Sequence, residues 1–348
     1  MHLLQHHWAG LERLPFVSLG DFPTPVQPFA ALSAASTWIK RDDLSATPYG
    51  GNKIRKLEYL LGAALESGVR CIVTTGAYGS HHVLATAMTA KALGLQTIAV
   101  LVPQPWNAHV EENLRAMVGL GIDLHAVERY RDVAWQMPLQ ALRARLRGEK
   151  AMLIGPGGSN PRGTLGYVAA AAELMAQIEA GALPSPERIY IALGSGGSAV
   201  GLALGLAALG SSIRVHGVRV TDPRFLPRKS LLYLAYRCWT LLRRADRRFP
   251  DLRSTLLDNL EIEDGHLGEG YGVETEAGRQ AKEAAAAQGI ALEGTYTAKT
   301  LAALRAQAPS GETLYWHTYN SHPLDEALLR SPLPTWAERL RDETLAKP

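Results

Sequence analysis

The stretch RIYIALGSGGSAVGLALGLAAL, residues 188–209, constrains this chain more than any other. A short apolar run ends in a glycine-rich turn, and a helical pattern of small residues follows. A strand that is apolar at every position cannot show one face to water. It belongs in a sheet covered on both sides. The scheme recurs along the chain. CIVTTGAYG (71–79) leads into HHVLATAMTAKALGL (81–95), QTIAVLVP (96–103) leads into HVEENLRAMVGLGI (109–122), and IRVHGVRVT (213–221) is a further strand. Strands alternating with helices predict an α/β protein with mostly parallel, twisted sheets in three layers. The loops PQPWN (103–107), GPGGSNPRG (155–163) and ALPSPER (182–188) punctuate the pattern.

A length of 348 residues predicts one or two domains. A net charge of +3 is too small to imply a nucleic-acid partner. Cys71 and Cys238 stand far apart and give neither a disulfide framework nor metal-ligand spacing, so no metal is expected. The start, MHLLQHHWAGLERL, lacks the pattern of a signal peptide. No apolar run reaches about 18 residues, so no membrane span is expected. A reducing cytoplasm is the expected location. From Arg224 to Arg253, nine Lys/Arg face two acids, Asp246 and Asp251, while Leu231, Leu234, Cys238, Leu241 and Leu242 recur near helical spacing. This predicts an amphipathic helix packed on the body, with a subunit interface or an anionic partner as alternatives. The residues after Pro332 read as a short helix and a tail.

Three places could carry chemistry. Gly194, Ser195, Gly196, Gly197 and Ser198 stand between a strand and a helix. Glycines let backbone N–H groups approach closely, and a helix N-terminus favours an anion such as phosphate. A tight turn with glycines for packing is the plainer alternative. The spacing is neither a P-loop nor a dinucleotide fingerprint, which disfavours a nucleotide-dependent oxidoreductase. Ser80, His81 and His82 open a second helix whose free N–H groups suit a carboxylate. They also read as an ordinary polar helix start, and adjacent histidines point apart, against a metal. Lys53 lies in SATPYGGNKIRKLEYLLGAAL (45–65) behind a glycine pair. It is either a solvated lysine at a helix start or an amine held against a carbonyl. Arg55 and Lys56 beside it would lower its pKa.

Six motifs occur in one order: RDDLSATPYGGNKIRKLEYLL (41–61), TGAYGSHH (75–82), GGSNPRGTLGYV (157–168), GSGGSAVGL (194–202), GEGYGVETEAG (268–278) and LEGTYTAKT (292–300). Together they resemble the D-cysteine desulfhydrase and 1-aminocyclopropane-1-carboxylate deaminase family. These are pyridoxal-phosphate enzymes of the tryptophan-synthase-β fold type, fold type II. The resemblance runs from about residue 20 to about 325, apart from the basic segment 228–253. It implies a large cofactor-binding domain of residues 1–55 plus 166–348 and a small inserted α/β domain of 56–165, with the cofactor between them, in a homodimer. It also implies roles. Lys53 carries the cofactor as a Schiff base and moves the Cα proton, and Asn52 holds its surroundings. Gly194 to Ser198 bind the phosphate. Ser80, with the amides of His81 and His82, faces the substrate carboxylate and the Cα proton. Tyr271 and Tyr296 look into the substrate pocket, although core packing is an alternative for both. Thr297 faces the pyridine nitrogen.

The departures from the family are specific. Thr297 matches the desulfhydrase branch, where the deaminase branch has glutamate. A hydroxyl that donates to an unprotonated nitrogen gives a weaker electron sink, which favours expulsion of a β-substituent. His81 replaces an asparagine near the ring hydroxyl and titrates near neutrality. EGTY (293–296) and WHTYNS (316–321) also differ, the latter placing Tyr319 and Asn320 where no side chain is usual. The sequence thus points to a lyase that acts on a small amino acid and releases a 2-oxo acid and ammonia. Ring-opening deamination, β-replacement and a catalytically reduced cofactor-binding homologue stay open as alternatives.

Overall fold

The computed structural model describes residues 3–30 and 36–345. Along the chain run β1 (Val26–Pro28), β2 (Thr37–Arg41), α1 (Lys53–Glu66), β3 (Cys71–Ala77), α2 (His81–Ala92), β4 (Gln96–Val102), α3 (Ala108–Gly119), β5 (Asp123–Ala126), α4 (Val133–Leu146), β6 (Ala151–Ile154) and α5 (Pro161–Glu179). There follow β7 (Arg188–Leu193), α6 (Gly197–Ala208), β8 (Arg214–Arg219), α7 (Arg228–Ala245), β9 (Leu260–Glu263), α8 (Glu276–Ala286), α9 (Thr297–Gln307), β10 (Thr313–His317), α10 (Glu326–Leu329) and α11 (Thr335–Leu345). The tail expected beyond α11, residues 346–348, lies outside the described residues.

The chain divides into two compact units, residues 1–60 with 158–322 and residues 61–157 with 323–348. In the first, six strands form one sheet in the order β1-β2-β10-β7-β8-β9. Only β1 runs antiparallel to its neighbour, and all other pairs are parallel. Successive residues of β7 and β10 feed opposite faces. Ile189, Ile191, Leu314 and Trp316 pack into a core with α5, α6 and α7. Tyr190 and Tyr315 pack into another with α8 and α9. Both faces are covered, which is why these strands are apolar throughout. The second unit has four parallel strands in the order β5-β4-β3-β6. There Cys71, Val73, Ile98 and Val100 pack against Val133, Met137 and Ala144 of α4. The α/β class with mostly parallel sheets, read from glycine-punctuated apolar runs, is the fold the chain adopts.

Two helix starts explain their sequences. Asn160 accepts from the N–H groups of Arg162 and Gly163 at 2.9 and 3.0 Å, with Pro161 at the first helical position of α5. Ser80 caps α2, its Oγ accepting the Val83 N–H at 3.3 Å. The basic segment is helix α7. It buries Leu231, Ala235, Cys238, Trp239 and Leu242, with Leu234 and Leu241 at the margin. Asp246 accepts from the Gly10 N–H at 2.9 Å and pairs with Arg248, and Asp251 pairs with Arg253. Both cysteines are buried and free. Among the described residues no helix is long and apolar enough to cross a membrane.

Candidate active site

The site in the first unit is built on the start of α1. Arg55, two residues beyond Lys53, is buried between two acids, 2.7 Å from Asp42 and 2.8 Å from Glu173. Lys40 reaches Glu173 at 2.5 Å, and the Tyr167 hydroxyl and Trp316 indole N–H donate to Asp42 at 2.7 and 2.8 Å. These groups come from β2 and the turn that follows it, α1, α5 and β10, so the network ties α1 to the sheet. Backbone contact adds to it. A Cβ on Gly166 of α5 would overlap the Arg55 carbonyl, so only glycine lets α5 lie this close to α1. The glycine loop ahead of α1 is pinned as well. Asn320 Oδ1 accepts the Gly50 N–H at 2.7 Å, and its amide donates to the His322 carbonyl at 2.7 Å. Asn320, unusual for the resembled family, thus spends its polar atoms on backbone.

Lys53 is half-buried. Burial lowers its pKa to about 8, against the opposite pull of Glu293. The lowering expected from Arg55 and Lys56 comes instead from desolvation. The Arg55 charge is already answered by Asp42 and Glu173. Lys53 Nζ donates to Asn52 Oδ1 at 2.6 Å, and Asn52 Nδ2 donates to Ser198 Oγ at 3.1 Å. Asn52 therefore links the lysine to the glycine loop. On that loop, Ser195 Oγ lies 2.7 Å from Ser159 Oγ, which accepts the Gly197 N–H at 3.0 Å. Lys56 Nζ donates to Ser159 at 3.1 Å, and burial drives its pKa well down. Lys56 and Ser159 are site residues that sequence reasoning missed. The helical spacing from Lys53 to Lys56 was the available signal, since positions three apart share a face.

Tyr271 and Tyr296 come together, hydroxyl to hydroxyl at 2.6 Å with the rings edge to face. Burial raises both phenols, that of Tyr271 to about 12, so both keep their protons at neutral pH. Lys299 holds the loop before Tyr271 by donating to the carbonyls of Leu267 and Gly270 at 2.6 and 3.2 Å. Thr297 opens α9 and is fully buried. Its hydroxyl lies against Glu293, a residue that the sequence reading noted only as a departure.

Ser80, His81 and His82 belong to the second unit. The structure therefore gathers Asn52, Lys53, Gly194 to Ser198, Tyr271, Tyr296 and Thr297 in one unit and these three in the other. His82 turns inward, its Nε2 3.1 Å from Thr74 Oγ1. The His81 ring packs on His109 with centroids 4.4 Å apart. Among the described residues one group has metal-ligand proximity, His216 with Glu261 and Glu263. None of the site residues belongs to it, and it is already paired internally, His216 Nδ1 lying 2.6 Å from Glu263.

The first unit fits a phosphate-bearing carbonyl compound. A Cβ on Gly197 would come within 2.5 Å of Ser159 Oγ and 3.0 Å of Lys56 Nζ, so the loop is bare where polar donors converge. Helix α6 starts there with no side-chain cap, Gly196 taking a positive φ of 89°. Its first N–H groups, two serine hydroxyls and the buried Lys56 amine, which a bound anion would favour in its charged form, are a donor set for a phosphate. Lys53 supplies an amine with a lowered pKa, as reaction with a carbonyl requires.

Comparison with known proteins agrees with that chemistry. Residues 17–318 match the family described as pyridoxal-phosphate dependent enzymes. The chain is 32% identical over 328 residues to the D-cysteine desulfhydrase of Salmonella paratyphi B, covering 90% of this chain and 95% of that protein. It is 32% identical over 335 residues to the nocardicin C-9' epimerase of Nocardia uniformis subsp. tsuyamanensis, covering 92% and 97%. A crystal structure of a homologue of ACC deaminase superimposes with a TM-score of 0.74 at 30% identity, covering 96% of this chain and 98% of that one. The chain belongs to the pyridoxal-phosphate dependent enzymes, and pyridoxal 5'-phosphate is its cofactor.

Proposed function

We propose that this enzyme is a lyase that removes the Cα proton and the β-substituent of a small amino acid, in the manner of a D-cysteine desulfhydrase, and releases a 2-oxo acid and ammonia. The observation that carries this reading is the Lys53 amine, lowered to about 8 and joined through Asn52 to the Gly194–Ser198 loop. When bound, the cofactor supplies the electron sink. Lys53 holds it and takes the proton from Cα, and Asn52 sets the direction of the amine. Gly194 to Ser198, with Lys56 and Ser159, receive the phosphate. Ser80 and the first amides of α2, those of His81 and His82, receive the substrate carboxylate. In the tyrosine pair one hydroxyl donates to the other, which leaves one O–H free to donate outward. Tyr271 and Tyr296 thereby hydrogen-bond the departing group. Thr297 faces the ring nitrogen of the cofactor.

In this reading the cofactor-binding domain, expected at residues 1–55 with 166–348, corresponds to the unit of 1–60 with 158–322, and the smaller inserted one, expected at 56–165, to the unit of 61–157 with 323–348. The enzyme works as a homodimer in the cytoplasm, where its two buried thiols stay reduced. Relatives named for elimination and for deamination support the choice of lyase.

The experiment is a visible spectrum of the reconstituted protein, followed by addition of D- and L-amino acids. A band that Lys53→Ala abolishes is expected, together with 2-oxo acid and ammonia from one enantiomer of a β-substituted substrate. Absence of the band sinks the cofactor roles. Exchange of the Cα hydrogen with heavy water without 2-oxo acid sinks the elimination. Sedimentation at micromolar protein tests the dimer.

A further inference from the structure

Helix α3 holds the turn that starts α2 from both sides of Ser80. The peptide between Gly79 and Ser80 has its two polar ends taken. Its N–H, that of Ser80, donates to the Ala77 carbonyl at 2.9 Å. Its carbonyl, that of Gly79, accepts from Asn113 Nδ2 at 2.8 Å. A peptide pinned at both ends cannot rotate without breaking both bonds. The Gly79 N–H is held as well, by Gln104 Oε1 at 3.3 Å. Gly79 has no room to move toward α3, since a Cβ on it would come within 3.1 Å of Val110 Cα. Asn113 is buried and stands one helical turn after His109. The Gly79 oxygen can only accept, so the group facing it is the Asn113 NH₂. The same nitrogen lies 3.2 Å from His109 Nε2, which therefore accepts its second N–H. The His109 ring in turn packs on the ring of His81. One buried amide thus reaches Gly79 directly and His81 through His109, the residues before and after Ser80. All of them lie in the unit of 61–157 with 323–348.

We propose that Asn113 is a positioning residue for the carboxylate end of the substrate. By locking the Gly79–Ser80 peptide and bracing His81 through His109, it sets the direction of the Ser80 hydroxyl and of the N–H groups of His81 and His82. The inference rests on the reading that this turn receives the substrate carboxylate. A helix start recognises an anion by the direction of its N–H groups, and a hydrogen bond weakens steeply as the acceptor leaves the line of the donor. Ser80 is the pivot of that arrangement, because its Oγ caps α2 by accepting the Val83 N–H. Rotation of the peptide before it would carry the hydroxyl and the first amides of the helix away together. Glycine at position 79 has no side chain to resist such a rotation, so the restraint has to come from outside the turn. Asn113 supplies it. Its effect falls on the binding of the substrate and not on the capture of the cofactor, which belongs to Lys53 and the Gly194–Ser198 loop.

The test compares D- and L-alanine with ethylamine, which is alanine without its carboxylate, on the intact protein loaded with its cofactor. Alanine has no β-substituent to lose, so the shift of the visible band reads binding alone. The wild type is expected to bind one enantiomer of alanine far more tightly than ethylamine. Asn113→Ala is expected to keep the Lys53-dependent band and to lower that preference roughly tenfold or more, the effect of misdirecting hydrogen bonds to a charged group, with the affinity for ethylamine unchanged. Asn113→Asp keeps the size, removes the NH₂ and is expected to do the same. Gln104 is half-buried in a loop, so Gln104→Ala tests the same turn without a change in the core, and a fall of roughly two- to tenfold is expected. A preference unchanged in either variant at position 113 that keeps its band overturns the inference. So does an equal loss for alanine and ethylamine, which is what a merely structural role would give. Where neither variant at 113 keeps the band, an unchanged preference in Gln104→Ala overturns it. A wild type that binds alanine and ethylamine alike overturns the placement of the carboxylate on this turn, and a missing band in the wild type overturns the proposed function itself.

Discussion

Burial pushes the Glu58 carboxyl up to about 7, although the N–H groups of Leu19 and Gly20 donate to it. An unfolded glutamate ionises near 4.5. The folded state therefore favours the protonated form, and this stabilisation is complete below about pH 4.5, fades as pH rises through 7, and is gone above it. Glu58→Gln keeps the acceptor and removes the charge. It is expected to flatten urea midpoints across this window and to raise stability at pH 8 by up to about 3 kcal/mol. Lys53 gives the opposite kinetic slope. A neutral amine is needed to capture the cofactor, so the loading rate, read as growth of the visible band, is expected to rise with pH and level off just above 8. At pH 6 it is expected to be roughly a hundredfold slower, whereas an ordinary lysine would keep gaining beyond pH 9. These residues differ in how well the sequence shows them. Lys53 was legible through six motifs in order, since its own neighbourhood suited a solvated lysine as well. Glu293 was not, because a glutamate between two loop residues looks solvated until its carboxylate is seen to gather the N–H groups of Thr295, Tyr296 and Thr297.

Elements whose role is written in their own periodicity were the legible ones. β3, β4, β7 and β8 are rich in β-branched and apolar residues and almost wholly buried, and the structure places each within a residue or two of the sequence-based expectation. β5 and β6 escaped it. Each has only four residues, DLHA and AMLI, mostly half-buried or exposed and too few to hold a period. The basic run of α7 reads as a helix because its apolar side keeps step, Leu231, Cys238 and Leu242 all reaching the core. The glycine loop before α6 gives an element-scale expectation. Gly197→Ala adds a methyl that meets Ser159 and Lys56 where the phosphate is proposed to sit, while alanine suits the helix that follows. Circular dichroism is expected to stay unchanged, and the Kd for pyridoxal phosphate, read by absorbance titration, is expected to rise at least roughly tenfold.

Each of the two units has its own sheet and apolar core, so unfolding is expected in two steps. Arg55→Ala tests which step carries the polar network. Removal of the guanidinium leaves Asp42 and Glu173 buried with Lys40 as their remaining cation. A loss of about 3–5 kcal/mol is expected, confined in calorimetry to the transition of residues 1–60 with 158–322. This network was invisible in the sequence, because its hydrogen-bonded partners lie up to 274 residues apart and meet only once the parallel sheet has formed. The contact between Gly166 and Arg55 has a different consequence. Most packing can be tuned, since a methyl added or removed shifts a neighbour by a fraction of an ångström. Backbone resting on backbone has no such adjustment and acts as a mechanical stop. Variants selected for new substrates can reshape every side chain around Lys53, yet the lysine will start from the same position each time. In this scaffold selectivity is the movable part and the placement of the amine is the fixed one.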